Sequence, residues 1–103
     1  MNIRESDMIR KIRLLEWLKA ELAVSVGEVM RAVAGGVRVP MVDALSRVMV
    51  SCYVLGRHLG VGYEEIDEAV MRRLDMPLDA RAQELEERYG DHRALRRHCR
   101  SKG

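Results

Sequence analysis

Three carboxylates on two neighbouring predicted helices have a spacing that suits a divalent metal ion. Glu21 and Glu28 are seven residues apart and therefore project from nearly the same angle of one helix. Asp43 lies near the start of the next helix, and three such acids facing one another could hold Mg²⁺, which prefers oxygen ligands in octahedral geometry. Glu21, Glu28 and Asp43 are therefore candidate metal ligands. The alternative is that both glutamates are solvated and pair with arginines, Arg31 in the case of Glu28.

An arginine inside an apolar segment is a second candidate for chemistry. Arg47 follows Asp43 by four residues in the run DALSRVMVSCYVLGRHLG, which otherwise reads as a nearly all-apolar helix. A guanidinium can bind a phosphate or a carboxylate through two parallel hydrogen bonds, so Arg47 is a candidate nucleotide or phosphate contact. The alternative is that Arg47 pairs with Asp43 and Glu28 and seals the packing of the two helices.

The end of the chain is basic, and the three histidines stand apart from one another. No histidine has a metal-ligand partner at a recognised spacing, so all three are expected at the surface. A basic tail could contact a phosphate, but a solvated terminal helix is the more common explanation, and no nucleic-acid partner is expected. The basic residues of this tail are Arg93, Arg96, Arg97, Arg100 and Lys102.

The carboxylates are positioned by a long first helix. It should begin near Ser6 or Asp7, either of which can cap it, and end at Gly35-Gly36. A second apolar surface around Trp17 implies burial on two sides, the second of them against another subunit. Helical spacing is kept throughout by the main apolar stripe, which consists of Met8, Ile12, Leu15, Leu22, Val26, Val29 and Val33.

The second helix carries Arg47 and should extend from about Pro40 to Leu59, with Gly60 as its stop. Its apolar residues cover most of its circumference, which is typical of a helix in the centre of a bundle. A third helix should follow and break at Asp75-Met76-Pro77. The remainder reads as a short charged helix to Tyr89, a break at Gly90, and a last basic helix or a frayed tail.

Length and composition indicate one small helical domain. The chain has 103 residues, two prolines and no phenylalanine. We predict a single domain over residues 1–103, with a core at about 6–75 and a charged helical segment at 78–100. A net charge of +2 is too small to imply nucleic-acid binding by the whole domain. No signal peptide and no uninterrupted apolar run of about 18 residues is found, so a cytoplasmic location without membrane contact is expected.

Three stretches of the sequence resemble the small MazG-like family, which is related to the all-α nucleoside-triphosphate pyrophosphohydrolases. They are IRLLEWLKAELAVSVGEVMRAV, then DALSRVMVSCYVLGRHLGVGYEEIDEAVMRRL, then ELEERYGDHRAL. The resemblance extends from about residue 9 to residue 97. It rests on the order and spacing of LEWLKAEL, of the segment at Tyr53 to Asp67, and of ERYGD, none of which is a catalytic signature by itself.

The resemblance implies a Mg²⁺ site made by an EExxE-like motif on one helix and an ExxD motif on the next. Glu28 aligns with the last acid of the first motif, whereas Val24 and Ser25 stand in place of its acidic pair. Ala44 and Arg47 stand where the Glu and Asp of the second motif would be. Since Arg47 repels a divalent cation, the resemblance implies a metal site that has been eroded.

The sequence therefore predicts an all-α bundle of four to five helices with a long antiparallel helix pair, assembling as a homodimer or a dimer of dimers. The first function hypothesis is a MazG-like protein that binds a nucleotide or phosphate compound with weak or no hydrolysis. The second is an active Mg²⁺-dependent nucleotide pyrophosphohydrolase that uses Glu21, Glu28 and Asp43 as rearranged ligands. The third is a non-catalytic dimeric interaction module.

Overall fold

The computed structural model describes residues 3–102, and in this range the chain contains five α-helices and no strand. This confirms the predicted all-α architecture. The helices are α1 (Ile3–Gly35), α2 (Arg38–His58), α3 (Tyr63–Asp75), α4 (Ala80–Tyr89) and α5 (Asp91–Lys102). The end of the chain is therefore a helix up to Lys102.

The chain divides into two compact units, Met1–Tyr63 and Glu64–Gly103. The first contains α1 and α2, and the second contains α4, α5 and nearly all of α3. The single domain predicted over residues 1–103 stays a prediction, and its positions 1, 2 and 103 lie outside the described residues.

In the first unit, α1 and α2 form the predicted long antiparallel pair. Lys11 Nζ lies 3.1 Å from His58 Nδ1, and Arg47 Nη2 donates to Glu21 Oε2 at 2.9 Å. A later residue of α1 therefore meets an earlier residue of α2, which means that the helices run in opposite directions. The same register places Ser25 of α1 opposite the Asp43–Ala44 level of α2.

Small residues line the seam between α1 and α2. Ser25 is 0% exposed and Ala44 is 8% exposed, while Leu18 of α1 is also buried. The Ser25 hydroxyl donates to the Leu22 carbonyl at 2.8 Å, so this buried polar group is satisfied within its own helix. Close approach of the two helices at this level follows from the small side chains that face each other.

Within the chain, α2 is covered by α1 on one side, and its other sides carry exposed apolar residues. Ala44 and Gly56 are its buried residues, whereas Val39 is 70% exposed and Val50 is 60% exposed. In the described part of the chain, α1 is the helix that packs on α2. That α2 lies at the centre of a larger helical assembly stays a prediction. Among the described helices, α2 is also the one long and apolar enough to cross a membrane, with a mean hydropathy of 1.3 over its best window. An apolar helix at a protein interface gives the same signal, so length and hydropathy alone do not distinguish the two.

Two helix starts differ from the sequence prediction. Helix α1 begins at Ile3, ahead of Ser6 and Asp7, with Glu5 in its first turn, where a negative charge favours the helix dipole. Helix α2 begins at Arg38, which puts Pro40 inside the first turn, where its missing N–H has no intrahelical partner to lose. The predicted stop of α1 is confirmed: Gly36 has φ +69° and its amide closes the last turn on the Ala32 carbonyl.

In the second unit, Glu86 of α4 caps α5. Its carboxylate accepts hydrogen bonds from the backbone N–H groups of His92 at 2.9 Å and of Arg93 at 3.2 Å. The left-handed turn at Gly90, φ +66°, brings these amides onto it. Partial burial alone would raise the pKa of the Glu86 carboxyl, but the amides of Arg93 and His92, aided by their charges, outweigh burial and lower it.

Arg96 of α5 binds the end of α3. Its guanidinium donates to the Leu74 carbonyl, and its Nε lies 3.0 Å from Asp75 Oδ1. The side chain is 27% exposed, which makes this one of the more protected charged contacts of the second unit. Arg96 was predicted as part of a solvated basic tail, and this assignment is wrong, because the last carbonyls of α3 need a donor and Arg96 supplies one.

Candidate functional site

An open cleft lies where the C-terminal end of α1 meets the N-terminal end of α2. Its volume of about 510 Å³ falls within the roughly 300–1,000 Å³ range of small-molecule sites. Both ends of the connection between the helices contribute to it, together with two arginines and two carboxylates. The lining residues are Glu28, Arg31, Ala32, Gly35, Val37, Pro40, Asp43, Ala44 and Arg47.

Three of the four predicted site residues line this cleft, and the fourth is joined to it. Glu28, Asp43 and Arg47 belong to its wall, and Glu21 accepts a hydrogen bond from Arg47 at 2.9 Å. The alternative in which Arg47 pairs with Asp43 and Glu28 did not include Glu21, which accepts the hydrogen bond of Arg47, while the charge of Arg47 also acts on Glu28. The antiparallel register brings Glu21 to the guanidinium.

Arg31 is the second arginine of the cleft. Sequence reasoning assigned it only as a partner of Glu28, and that ion pair is present. The side chain of Arg31 is 68% exposed and that of Arg47 is 47% exposed, so both guanidinium groups are accessible from solvent. The signal that could have shown Arg31 as a cleft residue is its position one helical turn before the break at Gly35-Gly36.

The arginines favour the ionised form of the Glu28 carboxyl. The hydrogen bond and the positive charge of Arg31 lower the pKa of its carboxyl, and the positive charge of Arg47 adds to this effect. Glu28 is therefore ionised at neutral pH and belongs to a cluster of alternating charges. Such a cluster is close to neutral overall, so an incoming anion is not excluded by uncompensated carboxylates.

The carboxylates do not gather into a metal-binding group. Between residues 3 and 102, no three His, Cys, Asp or Glu side chains lie together in a way that could hold a metal ion. Glu21 and Glu28 are each occupied by an arginine, and Arg47 lies among the three predicted ligands. The residues of one chain thus do not fit Mg²⁺ as they stand, and the Mg²⁺ site of Glu21, Glu28 and Asp43 stays a prediction.

The N-terminus of α2 also faces the cleft. Val37 is its N-cap, and Val37 and Pro40 both line the cleft wall. The Val37 side chain has no oxygen to accept a hydrogen bond, so it does not cap the first backbone amides of α2. The helix dipole favours a negative charge at this end, in agreement with the two arginines.

Two further clefts lie in residues 64–103. One is lined largely by apolar residues of α3, α5 and the connection between α3 and α4, and the other contains Glu86 and Arg93. Glu86 is held by the cap of α5 described above, so the second of these clefts is not a site of the same kind. Cys52 and Cys99 are free thiols, in agreement with the absence of a CxxC pattern.

Comparison with known proteins gives one match. A family model described as the MazG-like family matches residues 8–91, which is most of the chain. Neither the curated proteins nor the solved structures gave a match. The family match agrees with the resemblance that the sequence suggested.

Proposed function

We propose that this chain, which belongs to the MazG-like family, binds a nucleotide or another phosphate compound in the α1–α2 cleft and hydrolyses it weakly or not at all. The observation that carries this proposal is the presence of two solvent-accessible arginines, Arg31 and Arg47, in one cleft with the N-terminus of α2. Guanidinium groups and helix-terminal amides are the donors that phosphate oxygens prefer in proteins.

The ion pairs that now hold these arginines are weak enough to exchange. Exposed pairs of this kind contribute about 0–1 kcal/mol, since water already solvates both partners. A phosphate that accepts two parallel hydrogen bonds from a guanidinium gives a stronger contact, about 1.5–3 kcal/mol for hydrogen bonds to a charged group. Glu21 and Glu28 therefore keep the arginines oriented in the free protein and release them to a ligand.

Weak or absent hydrolysis is supported by the residues at the helix seam. Ser25 and Ala44 occupy the positions where the family resemblance implies metal-binding acids, and both are buried between α1 and α2. A metal ion between Ser25 and Ala44 would need open space and oxygen ligands, whereas the small side chains at this level let α1 and α2 pack closely. The positive charge of Arg47, which lies beside this level, would repel a metal ion there.

Ligand-dependent thermal stabilisation tests the binding proposal. A panel of standard and modified nucleoside triphosphates, and inorganic pyrophosphate, is added to the wild-type chain with EDTA present. A ligand at one hundred times its Kd should stabilise the fold by about 2.7 kcal/mol. Arg47→Ala should weaken binding about 10- to 100-fold, because it removes a charged hydrogen-bond donor worth about 1.5–3 kcal/mol.

Arg57→Ala is the matched control, because Arg57 is an exposed arginine of the same helix that does not line the cleft. It should leave the ligand-induced shift unchanged. The binding proposal fails if Arg47→Ala keeps the wild-type shift. Pyrophosphate release from the same panel, with and without Mg²⁺ or Mn²⁺, examines hydrolysis separately: metal-dependent turnover would favour the active pyrophosphohydrolase with rearranged ligands.

A second candidate function is a non-catalytic interaction module that forms a homodimer or a dimer of dimers. The specific observation that favours it is the extent of exposed apolar surface on both helices of the first unit, for example Met30 at 64% and Met49 at 55%. Surface of this extent marks interaction sites in soluble proteins. A chain that self-associates and yet gains no stability from any ligand of the panel would favour this candidate over phosphate binding.

A further inference from the structure

The second unit contains an apolar cleft between α3, the start of α4 and α5, and we call it the α3–α5 cleft. Its volume of about 490 Å³ falls within the roughly 300–1,000 Å³ range of small-molecule sites. Leu74 is buried, whereas Val70 is 39% exposed, so the apolar wall extends from the interior to the solvent. The larger apolar side chains of this wall are Val70, Leu74, Met76, Leu78 and Leu95.

Specific contacts hold the walls of the α3–α5 cleft in place. Arg96 of α5 donates to the Leu74 carbonyl at the end of α3, and the Glu86 carboxylate caps α5. Asp79 Oδ1 accepts a hydrogen bond from the Ala82 amide at 2.8 Å and so caps α4. The cleft is therefore preformed, and a ligand would not have to order it.

Three polar side chains line the same cleft, and one of them is free to meet a ligand. Asp79 is used by the cap of α4, and His92 Nδ1 lies 3.9 Å from Glu86 Oε2. Arg73 follows Val70 by three residues and so shares its side of α3. Arg73 is exposed, and no carboxylate between residues 3 and 102 forms an ion pair with it. Its guanidinium is the charge in this cleft that a ligand can neutralise.

We propose that the α3–α5 cleft binds a small aliphatic carboxylate, with the carboxylate on the Arg73 guanidinium and the hydrocarbon chain against the apolar wall. The residues that form this site all belong to the second unit. The inference therefore does not depend on phosphate binding in the α1–α2 cleft.

The charges that line the cleft favour a head group with one negative charge. A guanidinium binds a carboxylate through two parallel hydrogen bonds. The negative charge of Asp79 in the same cleft disfavours a ligand with two negative charges, such as a phosphate monoester. An ammonium group would be repelled by Arg73, and the carboxylate of Asp79 is already used by the cap of α4. A single carboxylate is the head group that suits both side chains.

The apolar wall favours an aliphatic chain behind that head group. Met76 is 57% exposed and Leu95 is 44% exposed, so a hydrocarbon chain laid along them would remove apolar surface of both partners from water. Each methylene that becomes buried should strengthen binding by up to about fourfold. Affinity should therefore rise with chain length until the cleft is filled.

Titration of the full isotope-labelled chain with octanoate, followed by two-dimensional amide NMR, tests the proposal. The amides of the residues that line the α3–α5 cleft should shift and saturate, with a Kd on the order of 0.1–1 mM for a ligand of this size. Hexanoate should bind the same amides more weakly, by up to about fourfold for each methylene removed. Octylammonium, which has the same chain and the opposite charge, should give no saturable shift there.

Arg73→Gln and Arg72→Gln form a matched pair of variants. Both arginines are exposed and lie in the last turn of α3, but Arg73 lines the cleft and Arg72 does not. Arg73→Gln should raise the Kd for octanoate at least fivefold, because the charged donor is lost, whereas Arg72→Gln should leave it within about twofold of wild type.

Several outcomes would overturn the proposal. Octanoate that shifts no cleft amide, or that shifts only amides of α1 and α2, would show that the cleft is not the site. Equal Kd values for the two variants, or equal binding of octanoate and octylammonium, would show that Arg73 does not select a carboxylate. The comparison of octanoate with octylammonium uses the wild type alone, so it decides the role of the charge even if Arg73→Gln does not fold.

Discussion

Replacing Ser25 with glutamate puts a carboxylate at a fully buried position of the α1–α2 seam. Ser25 is 0% exposed and stands opposite the level of Ala44, which is also buried. The position is instructive because the family resemblance implies an acid there. Three variants separate the causes of any loss of stability: Ser25→Ala removes the hydroxyl, Ser25→Leu adds volume without charge, and Ser25→Glu adds both volume and charge.

The expected magnitudes differ enough to be distinguished. Ser25→Ala should lie within about 0.5 kcal/mol of wild type, since the lost bond to the Leu22 carbonyl is offset by the better helix propensity of alanine. Ser25→Leu should cost about 1–3 kcal/mol through overpacking. Ser25→Glu should cost about 3–5 kcal/mol or more, because an unpaired buried charge is added to the extra volume. Since small domains have a total stability of about 5–15 kcal/mol, the Glu variant should be near unfolding.

The wild type and the three variants are unfolded in urea at one protein concentration, and unfolding is followed by far-ultraviolet circular dichroism. The same measurement is repeated with about 5–10 mM Mg²⁺, an excess of the kind used to saturate weak sites. Mg²⁺ should leave all four midpoints unchanged. The reasoning is refuted if Ser25→Glu is no less stable than Ser25→Leu. It is equally refuted if Mg²⁺ restores the Glu variant selectively, because the seam would then open to hold a metal.

Two further predictions concern the second unit. Glu86→Gln should lower the thermal midpoint at pH 7, and its difference from wild type should shrink steadily on acidification; folding lowers the pKa of the Glu86 carboxyl, so its contribution is fully present above the pKa of the unfolded chain and is lost as the pH falls through the lower pKa of the folded chain. Equal midpoints of wild type and Glu86→Gln at pH 7 would contradict the cap. Arg96→Ala should cost about 1–2 kcal/mol in urea unfolding through the contacts to Leu74 and Asp75, while the exposed neighbour Arg97→Ala should stay within about 0.5 kcal/mol. Equal losses for Arg96 and Arg97 would mean that the helix-end contact contributes nothing.

The helices could be predicted because their signals are local. The breaks at Gly36, Gly60 and Gly90 were expected from the residues themselves, and each of these glycines has a positive φ in the structure. The start of α1 was placed too late because Ser6 and Asp7 are good caps but also tolerable helix residues, and nothing local forces the helix to begin there.

The contacts between helices could not be predicted, because they depend on register. Arg47 meets Glu21, 26 positions away, only because the turn after Gly35 fixes how α2 lies along α1. A shift of one helical turn would have given Arg47 a different partner. The complete burial of Ser25 could not be predicted either, because a polar side chain gives no sign of it in the sequence. Arg96 looks like one of several tail arginines in the sequence, and its contact with the end of α3 is visible only in the structure.

The proposed function separates binding from hydrolysis, because different residues would serve the two. Hydrolysis would need oxygen ligands for a cation at the level of the seam, and there Ser25 and Ala44 are small and buried. Binding needs donors for a phosphate, and Arg31 and Arg47 supply these in the cleft, where they remain accessible. Arg31 and Arg47 line the cleft and Ser25 does not, so the loss of one activity would not remove the other. Arg47→Ala should weaken the ligand-induced thermal stabilisation while Ser25→Ala preserves it, and equal losses in the two variants would contradict this division.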